Sequence, residues 1–304
     1  MRKAAMNSAH RGQRGMLALT LLALAALGPG AAMGQEDAGG GPPQTGTDPR
    51  DFAPKFMPYA RYTELKNGLE QNEIVMFGLV AFSPKFAMTY EIPLGYERDV
   101  GGTDLFDPMT GECAGFLPGG GAILPNGLRA EGDCQETGIG DMNLRFMARA
   151  NTKFLGGDLL YGAQLDFPTS NNDVLGSETM VLAPMAANIW DLKFWPGPGA
   201  FAALMHFYKF DIFKDDGRPD VDMYVGRYFM MLPLNEKHKI YALPEFQPVY
   251  DFENSHFSFW FGPEFGKMLA PGRIVYLKPG WGIDPDGPAG DREFSFELGF
   301  RFFL

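Results

Sequence analysis

The sequence predicts an all-β protein, a transmembrane antiparallel β-barrel for which twelve strands is the best count. Three observations predict this fold class. Apolar and polar residues alternate along segments long enough to cross a bilayer as strands. The chain has 27 phenylalanines accompanied by 39 glycines, and barrels place phenylalanine on the outside, facing lipid. The chain also begins with a segment of the kind that directs export.

The alternation is clearest in the last segment, from Arg292 to Leu304. Large apolar residues occupy every second position there, and Glu297 and Arg301 lie between them. Soluble strands usually have about five or six residues, whereas barrel strands in membranes need about 9–11. The segment resembles the C-terminal signal of bacterial outer-membrane proteins, with Leu304 in place of the usual aromatic residue. That resemblance implies delivery by the barrel-assembly machinery.

Similar alternation recurs along the chain and gives an even number of strands, as single-chain bacterial barrels have. In the segments near 56–66, 73–83, 178–193, 199–210 and 221–233 it is too weak to identify the inward face. The twelve predicted strands are 56–66, 73–83, 85–96, 138–150, 157–168, 178–193, 199–210, 221–233, 238–250, 256–267, 272–283 and 291–303.

The N-terminal residues 1–34 are predicted to be a cleaved signal peptide. Basic residues precede the apolar run 16–27, which is shorter than the roughly 20 residues of a membrane helix, so an uncleaved anchor is disfavoured. Residues 35–55 are rich in Gly, Pro and Asp and are interpreted as a disordered periplasmic lead-in. Removing the leader leaves 22 basic against 37 acidic residues, a net charge of −15.

The lengths of the connections predict the orientation of the barrel, residues 56–304. Alternate connections are short, as periplasmic turns are, and the others are longer and acidic, as outer loops are. This places the N-terminus in the periplasm and the longest loop, 97–137, outside a bacterial outer membrane. Cys113 and Cys134 lie in that loop, and a cysteine pair in an exported chain predicts a disulfide.

The acidic balance excludes a nucleic-acid partner, which requires basic patches. The outer acidic clusters lack the full spacing of a calcium loop, and a solvated surface is the simpler interpretation. No metal or other cofactor is predicted; the expected partners are outer-membrane lipid and a small-molecule solute.

Polar residues on the inward faces are the candidate functional residues, because they would line the interior and set its preference for solutes. Twelve strands leave a modest bore, so a conducting lumen and a plugged lumen both remain open. The predicted pore-lining residues are Glu91, Asp141, Arg145, Arg149, Gln164, Asp166, Glu245, Glu264, Lys278, Glu297 and Arg301.

An enzyme is not predicted. His256 and Ser258 have the spacing of a catalytic pair in outer-membrane phospholipases, but they share the inward face. Asn254 precedes them, and the orienting group that such a pair needs is missing. An outer-membrane hydrolase is therefore the third hypothesis, after a channel and a plugged barrel that acts through its loops.

From about residue 138 onward the chain resembles the outer-membrane barrels named for the meta-pathway of phenol degradation. The resemblance depends on Gly138–Asp141 opening a strand, Leu165–Thr169 closing the next, and Leu175–Ser177 entering the one after. Ser170 stands where that family usually has Gly. The resemblance implies a barrel that passes small, often aromatic or apolar, molecules. Our leading hypothesis is therefore an outer-membrane channel or facilitator for small organic solutes.

Overall fold

The structure is a computed structural model that describes residues 47–65, 70–100, 134–171, 175–214, 218, 220–235, 239–283 and 292–304. Over this part of the chain, twelve antiparallel strands close into one barrel, which confirms the predicted fold class. The strands are β1 (Lys55–Phe56 and Tyr59–Leu65), β2 (Glu70–Ser83), β3 (Phe86–Val100), β4 (Cys134–Gly138 and Met142–Phe154), β5 (Gly157–Phe167), β6 (Thr179–Asp191), β7 (Phe201–Lys214), β8 (Asp222–Asn235), β9 (Ile240–Leu243 and Glu245–Asp251), β10 (His256–Phe261 and Glu264–Ala270), β11 (Arg273–Gly282) and β12 (Arg292–Phe303).

The barrel closes where β12 pairs with β1. Glu297 of β12 stands opposite Arg61 of β1 on one side and opposite Lys278 of β11 on the other. All other pairings join strands that follow one another in the chain, so the fold consists of successive hairpins. Among the described residues no helix is long and apolar enough to cross a membrane.

The two ends of the barrel differ in their connections. At one end, which we call the turn end, the hairpin turn 155–156 has positive φ at both Leu155 (48°) and Gly156 (79°). This geometry matches the twist of paired strands. The joins at the turn end are 84–85, 155–156, 192–200, 236–239 and 271–272, and those at the opposite loop end are 66–69, 101–133, 168–178, 215–221, 252–255 and 283–291.

Two details of the strands differ from the prediction. Tyr96–Val100 pairs with Cys134–Gly138, so the β3–β4 hairpin extends into the region predicted as the loop 97–137. Strands β9 and β10 are interrupted at Pro244 and at Gly262–Pro263, because proline cannot donate to the ladder and occurs where pairing is interrupted. The cysteine pair lies outside the described residues, since neither Cys113 nor the side chain of Cys134 is described.

The two faces of the wall have different exposure. Tyr161 and Phe257, on predicted outward faces, are each 52% exposed, whereas the inward Leu160 is fully buried. The inward residues of β6 and β7 are also apolar, including Ile189 and Phe201 at 1% exposure. They form one buried cluster with Leu160. Part of the barrel interior is therefore filled by an apolar core.

Candidate functional site

Residues 47–54 lie across the turn end of the barrel. Arg50 forms ion pairs with Asp158 of β5 (3.0 Å) and Asp191 of β6 (2.8 Å), and its guanidinium lies over the Phe201 ring of β7. Phe52 is buried in the apolar cluster. The segment leads directly into β1, which lies across the barrel from β6 and β7 in the order of the strands. It therefore spans the opening of the barrel at the turn end, which we call the mouth.

This arrangement differs from the disordered lead-in predicted for residues 35–55, of which 35–46 lie outside the described part. Composition reports only local preference, whereas Arg50 and Phe52 gain their order from partners far away in the sequence. Burial tends to lower the pKa of Arg50, but the carboxylates of Asp48, Asp158 and Asp191 outweigh burial and raise it above its ordinary value. Arg50 is therefore held as a cation among carboxylates.

Inside this mouth is a cavity of about 230 Å³, which we call the turn-end cavity. Its wall combines apolar side chains such as Met57, Phe77 and Phe229 with equal numbers of cationic and anionic groups. The cations are Lys55, Arg61, Arg145, Arg227, Lys278 and Arg301, and the carboxylates are Asp48, Asp51, Glu91, Glu245, Glu264 and Glu297.

A second cavity of about 190 Å³, the loop-end cavity, lies nearer the loops. It adds Gln247, Trp260, Arg292 and Ser295 to residues that also line the turn-end cavity. We call those common residues the shared belt: Arg61, Glu91, Arg227, Lys278 and Glu297. The two cavities meet at the level of this belt.

A buried ion pair joins β10 to β12 beside the turn-end cavity. Arg301 Nη2 lies 2.6 Å from Glu264 Oε2, and the two residues are 7% and 4% exposed. The Tyr241 hydroxyl donates to the other carboxylate oxygen of Glu264 at 2.7 Å, and Arg301 also donates to Tyr241. A pair this buried is stable only when hydrogen bonds satisfy its remaining polar atoms, and here they are supplied.

The shared belt is built on ion pairs across neighbouring strands. Arg61 contacts Glu297 at 3.2 Å and Glu73 at 3.4 Å, and it donates to the Tyr59 hydroxyl at 2.9 Å. The Tyr276 hydroxyl donates to the other oxygen of Glu297 at 2.8 Å. These contacts connect β12, β1 and β2 with β11, so they fix charged groups on the wall instead of leaving them mobile.

On the facing side, one carboxylate holds two cations. Glu245, which is 1% exposed, accepts from Arg227 Nε at 2.6 Å and from Lys278 Nζ at 2.7 Å. The Gln247 amide donates to the same carboxylate at 2.6 Å. Three donors therefore converge on Glu245, and the positive charges around it outnumber the negative one.

Arg145 of β4 forms no ion pair within the described residues. Its Nε and Nη2 donate to Gln164 Oε1 at 3.0 and 2.7 Å, and its guanidinium lies 5.0 Å from the centre of the Phe207 ring. Gln164 in turn donates to Asp166, whose charge is paired with Lys209 at 2.9 Å. Arg145 is thus held in place by neutral partners.

The structure brings seven of the eleven predicted pore-lining residues to the turn-end cavity wall. They are Glu91, Arg145, Glu245, Glu264, Lys278, Glu297 and Arg301. Their role in conduction stays a prediction.

The other four predicted residues lie elsewhere. Gln164 and Asp166 support Arg145, and Arg149 donates to the backbone carbonyl of Arg50. Asp141 accepts from the backbone N–H groups of Ser170 (3.1 Å) and Ser177 (2.6 Å), so it fixes the connection after β5.

Sequence reasoning missed Arg61, Arg227 and Trp260 on the cavity walls. Arg227 is the one charged residue in the apolar stretch 223–234, and a lone charge in such a strand avoids lipid. That signal could have identified the inward face of β8. Strand β1 offers no such signal, because Arg61 shares a face with Tyr59 and Leu65 while a second charge, Glu64, lies on the other face.

Asn254 does not supply the orienting group that the hydrolase hypothesis requires. The Asn254 amide donates to Asp251 at 2.7 Å. In the strand register, His256 stands opposite the same Asp251.

Among the described residues, no group of His, Cys, Asp or Glu is placed to hold a metal ion. Most of the acidic loop residues lie outside the described part.

The fold is similar to that of solved outer-membrane channels. An outer membrane channel from Pseudomonas putida F1 superimposes with a TM-score of 0.58 at 10% identity, over 84% of this chain and 99% of that one. The NanC porin gives a TM-score of 0.53 at 7% identity, over 82% of this chain and 100% of that one. No family model matches the sequence, and no curated protein matches it.

The fold is therefore a twelve-stranded antiparallel β-barrel, similar to that of outer-membrane channels. At these identities the similarity establishes the fold and does not identify a solute. The resemblance to the barrels of the phenol meta-pathway stays a prediction.

Proposed function

We propose that the protein is a channel or facilitator in a bacterial outer membrane that passes small aromatic or semi-polar organic solutes. The observation that carries this proposal is the pair of cavities that meet at the shared belt inside the barrel. The outward apolar face would contact lipid, and the turn end, with the N-terminal segment, would face the periplasm.

The lining of the turn-end cavity supports a semi-polar solute. Apolar side chains such as Met205 and Phe229 share its wall with fixed ion pairs. Selectivity in such a path depends on bore, donors, acceptors and charge, and no covalent step is needed. A solute with an apolar body and one polar group can contact both parts of this wall.

Single-channel conductance of the refolded chain, residues 35–304, tests the proposal. We expect discrete steps in a planar bilayer, with an ion preference that shifts toward cations in Arg145→Ala and toward anions in Glu297→Ala. Lys193→Ala removes a charge from an exposed turn and should change neither the conductance steps nor the ion preference. Steps whose preference is the same in all variants would contradict a charge-lined path.

A plugged barrel that acts through its loops is the second candidate, favoured by the position of Phe52 in the apolar cluster. Its signature in the same experiment is an absence of conductance from a protein that is folded, as shown by heat-dependent migration on a gel.

The proposal includes the flanking features predicted from the sequence. These are a signal peptide cleaved after Gly34, a Cys113–Cys134 disulfide in an outer loop, and delivery by the barrel-assembly machinery through β12. The mass of the protein recovered from membranes, with and without reductant and a thiol-alkylating reagent, tests the first two. A mass that retains residues 1–34, or two free thiols, would contradict them.

A further inference from the structure

We propose that the loop-end cavity is a binding subsite for the carboxylate of a small organic acid with an apolar body. The protein would then pass such acids in preference to their neutral analogues. This inference deepens the proposed channel function and depends on it for the transport step, although binding of the acid can be measured separately.

The first observation is the charge of the cavity wall. Arg61, Arg227, Lys278 and Arg292 line the loop-end cavity, against only two carboxylates, Glu91 and Glu297. The whole chain has a net charge of −11, so its overall charge predicts attraction of cations. The residues that line this cavity have the opposite sign, and Glu73 and Glu245, which are not in the lining, pair with Arg61, Arg227 and Lys278.

The second observation is that the nearby carboxylates already have donors. Glu245 accepts from three side chains, Glu297 accepts from Arg61 and Tyr276, and Glu91 accepts from the Tyr59 hydroxyl at 2.5 Å. Guanidinium and ammonium groups are donors only. The wall therefore presents more donors than acceptors, and an ionised carboxylate, which only accepts, is the complementary ligand.

The third observation is an unpartnered donor on the same wall. Trp260 is 9% exposed, and its buried indole N–H has no hydrogen-bond partner among the described residues. Leaving such a group unpaired is unfavourable, and a bound acceptor would remove that cost. The Lys278 ammonium lies 5.2 Å from the centre of the Trp260 ring, so a cation and a flat aromatic surface are adjacent.

The size of the loop-end cavity and the lining of the turn-end cavity indicate what the part of the solute other than the carboxylate is like. About 190 Å³ is less than the roughly 300–1,000 Å³ of a site for a drug-sized ligand. Beyond the shared belt, the turn-end cavity offers Phe77, Met147 and Met205. An acid whose carboxylate binds in the loop-end cavity can therefore place its apolar body against these side chains of the turn-end cavity.

The experiment compares benzoate with benzyl alcohol, which share a ring and differ in charge. Uptake of each by liposomes containing the refolded protein measures passage, and calorimetry in detergent micelles measures binding. Lys278→Gln and Arg292→Gln are the test variants; Arg292 lines the cavity and its side chain is exposed. Lys193→Gln makes the same charge change on an exposed turn and serves as the control.

We expect the wild type and the control to bind benzoate and pass it faster than benzyl alcohol. Each test variant should lose about tenfold in benzoate binding and uptake, with benzyl alcohol uptake unchanged. Benzoate binding without passage of either probe would support the subsite and contradict the channel. Passage of both probes at equal rates, with no measurable benzoate binding, would overturn the subsite and leave the channel standing.

Discussion

The two cavities share five wall residues but differ in how their charge is balanced. The turn-end cavity has six cations and six carboxylates, whereas the loop-end cavity has four cations and two carboxylates. Two of the six turn-end carboxylates, Asp48 and Asp51, come from the N-terminal segment and not from the barrel. Without them, the barrel wall would have a cation excess at both cavities.

This difference indicates that the N-terminal segment supplies negative charge to the wall of the turn-end cavity. At the turn end the protein supplies its own carboxylates to the wall, and Lys55, which is 2% exposed, contacts Asp51. At the loop end no described segment outside the barrel does the same. Barrel carboxylates pair with Arg61, Arg227 and Lys278, and the Trp260 N–H, which has no partner among the described residues, remains for an external acceptor. A fixed charge in a region of low dielectric requires a counter-charge, whether from the chain or from a solute.

The largest expected effect comes from removing one partner of the buried pair beside the turn-end cavity. Arg301→Met leaves Glu264 charged and buried with the Tyr241 hydroxyl as its one side-chain donor among the described residues, which should lower the free energy of unfolding by about 3–5 kcal/mol. Urea unfolding of the refolded protein in detergent, followed by tryptophan fluorescence, measures this loss.

The matched control removes both partners. Arg301→Met combined with Glu264→Leu removes both charges of this pair and should recover most of the stability, since apolar replacements of buried pairs are often neutral. A single variant that loses less than about 1 kcal/mol would mean that water reaches this pair, as at an exposed site. The turn end would then be as open as the loop end.

The next effect is in conductance. Deleting residues 47–54 removes Phe52 from the mouth together with the carboxylates of Asp48 and Asp51, so we expect a several-fold larger conductance and a shift toward anions. Planar-bilayer recordings in a salt gradient measure both quantities. Deleting residues 35–46 retains every described contact of Arg50 and Phe52 and should leave both unchanged. Equal conductance in the two deletions would show that the segment does not limit the path.

The sequence was sufficient to predict the strands whose two faces differ. Glu91, Glu297 and Arg301 alternate with large apolar residues, because one side of those strands meets lipid and the other a polar interior. Apart from the interruptions in β1, β4, β9 and β10 and the extension of the β3–β4 hairpin, the observed strands follow those predictions.

The alternation fails in β6 and β7 because both of their faces are apolar. Ala183 and Ile189 point into the buried cluster while their neighbours point outward, so no local contrast remains in the sequence. The N-terminal segment was missed for a related reason. Arg50 is ordered by Asp191 and Phe201, which are more than a hundred residues away in the chain, and Phe52 is ordered by an apolar cluster drawn from many strands.

The smallest expected effect concerns the attachment of the N-terminal segment. Arg50→Ala removes the ion pairs to Asp158 and Asp191, whose side chains are 33% and 60% exposed, so each pair contributes at most about 1 kcal/mol. Because Phe52 remains in the apolar cluster, the rise in conductance should be a fraction of that from the deletion. The salt concentration separates the contribution of the Arg50 ion pairs from that of Phe52 burial. Interactions between exposed charges are screened beyond about 3 Å at 1 M salt, whereas burial of an apolar side chain is not screened.

Raising the salt concentration should therefore move the wild type toward the variant, with conductances normalised to bulk conductivity at each concentration. The Arg50→Ala protein has already lost these pairs and should show no further change. If the two proteins stay equally far apart at all salt concentrations, the segment is held by Phe52 and by the Arg149 contact to its backbone. The ion pairs of Arg50 would then select its position without strengthening its attachment.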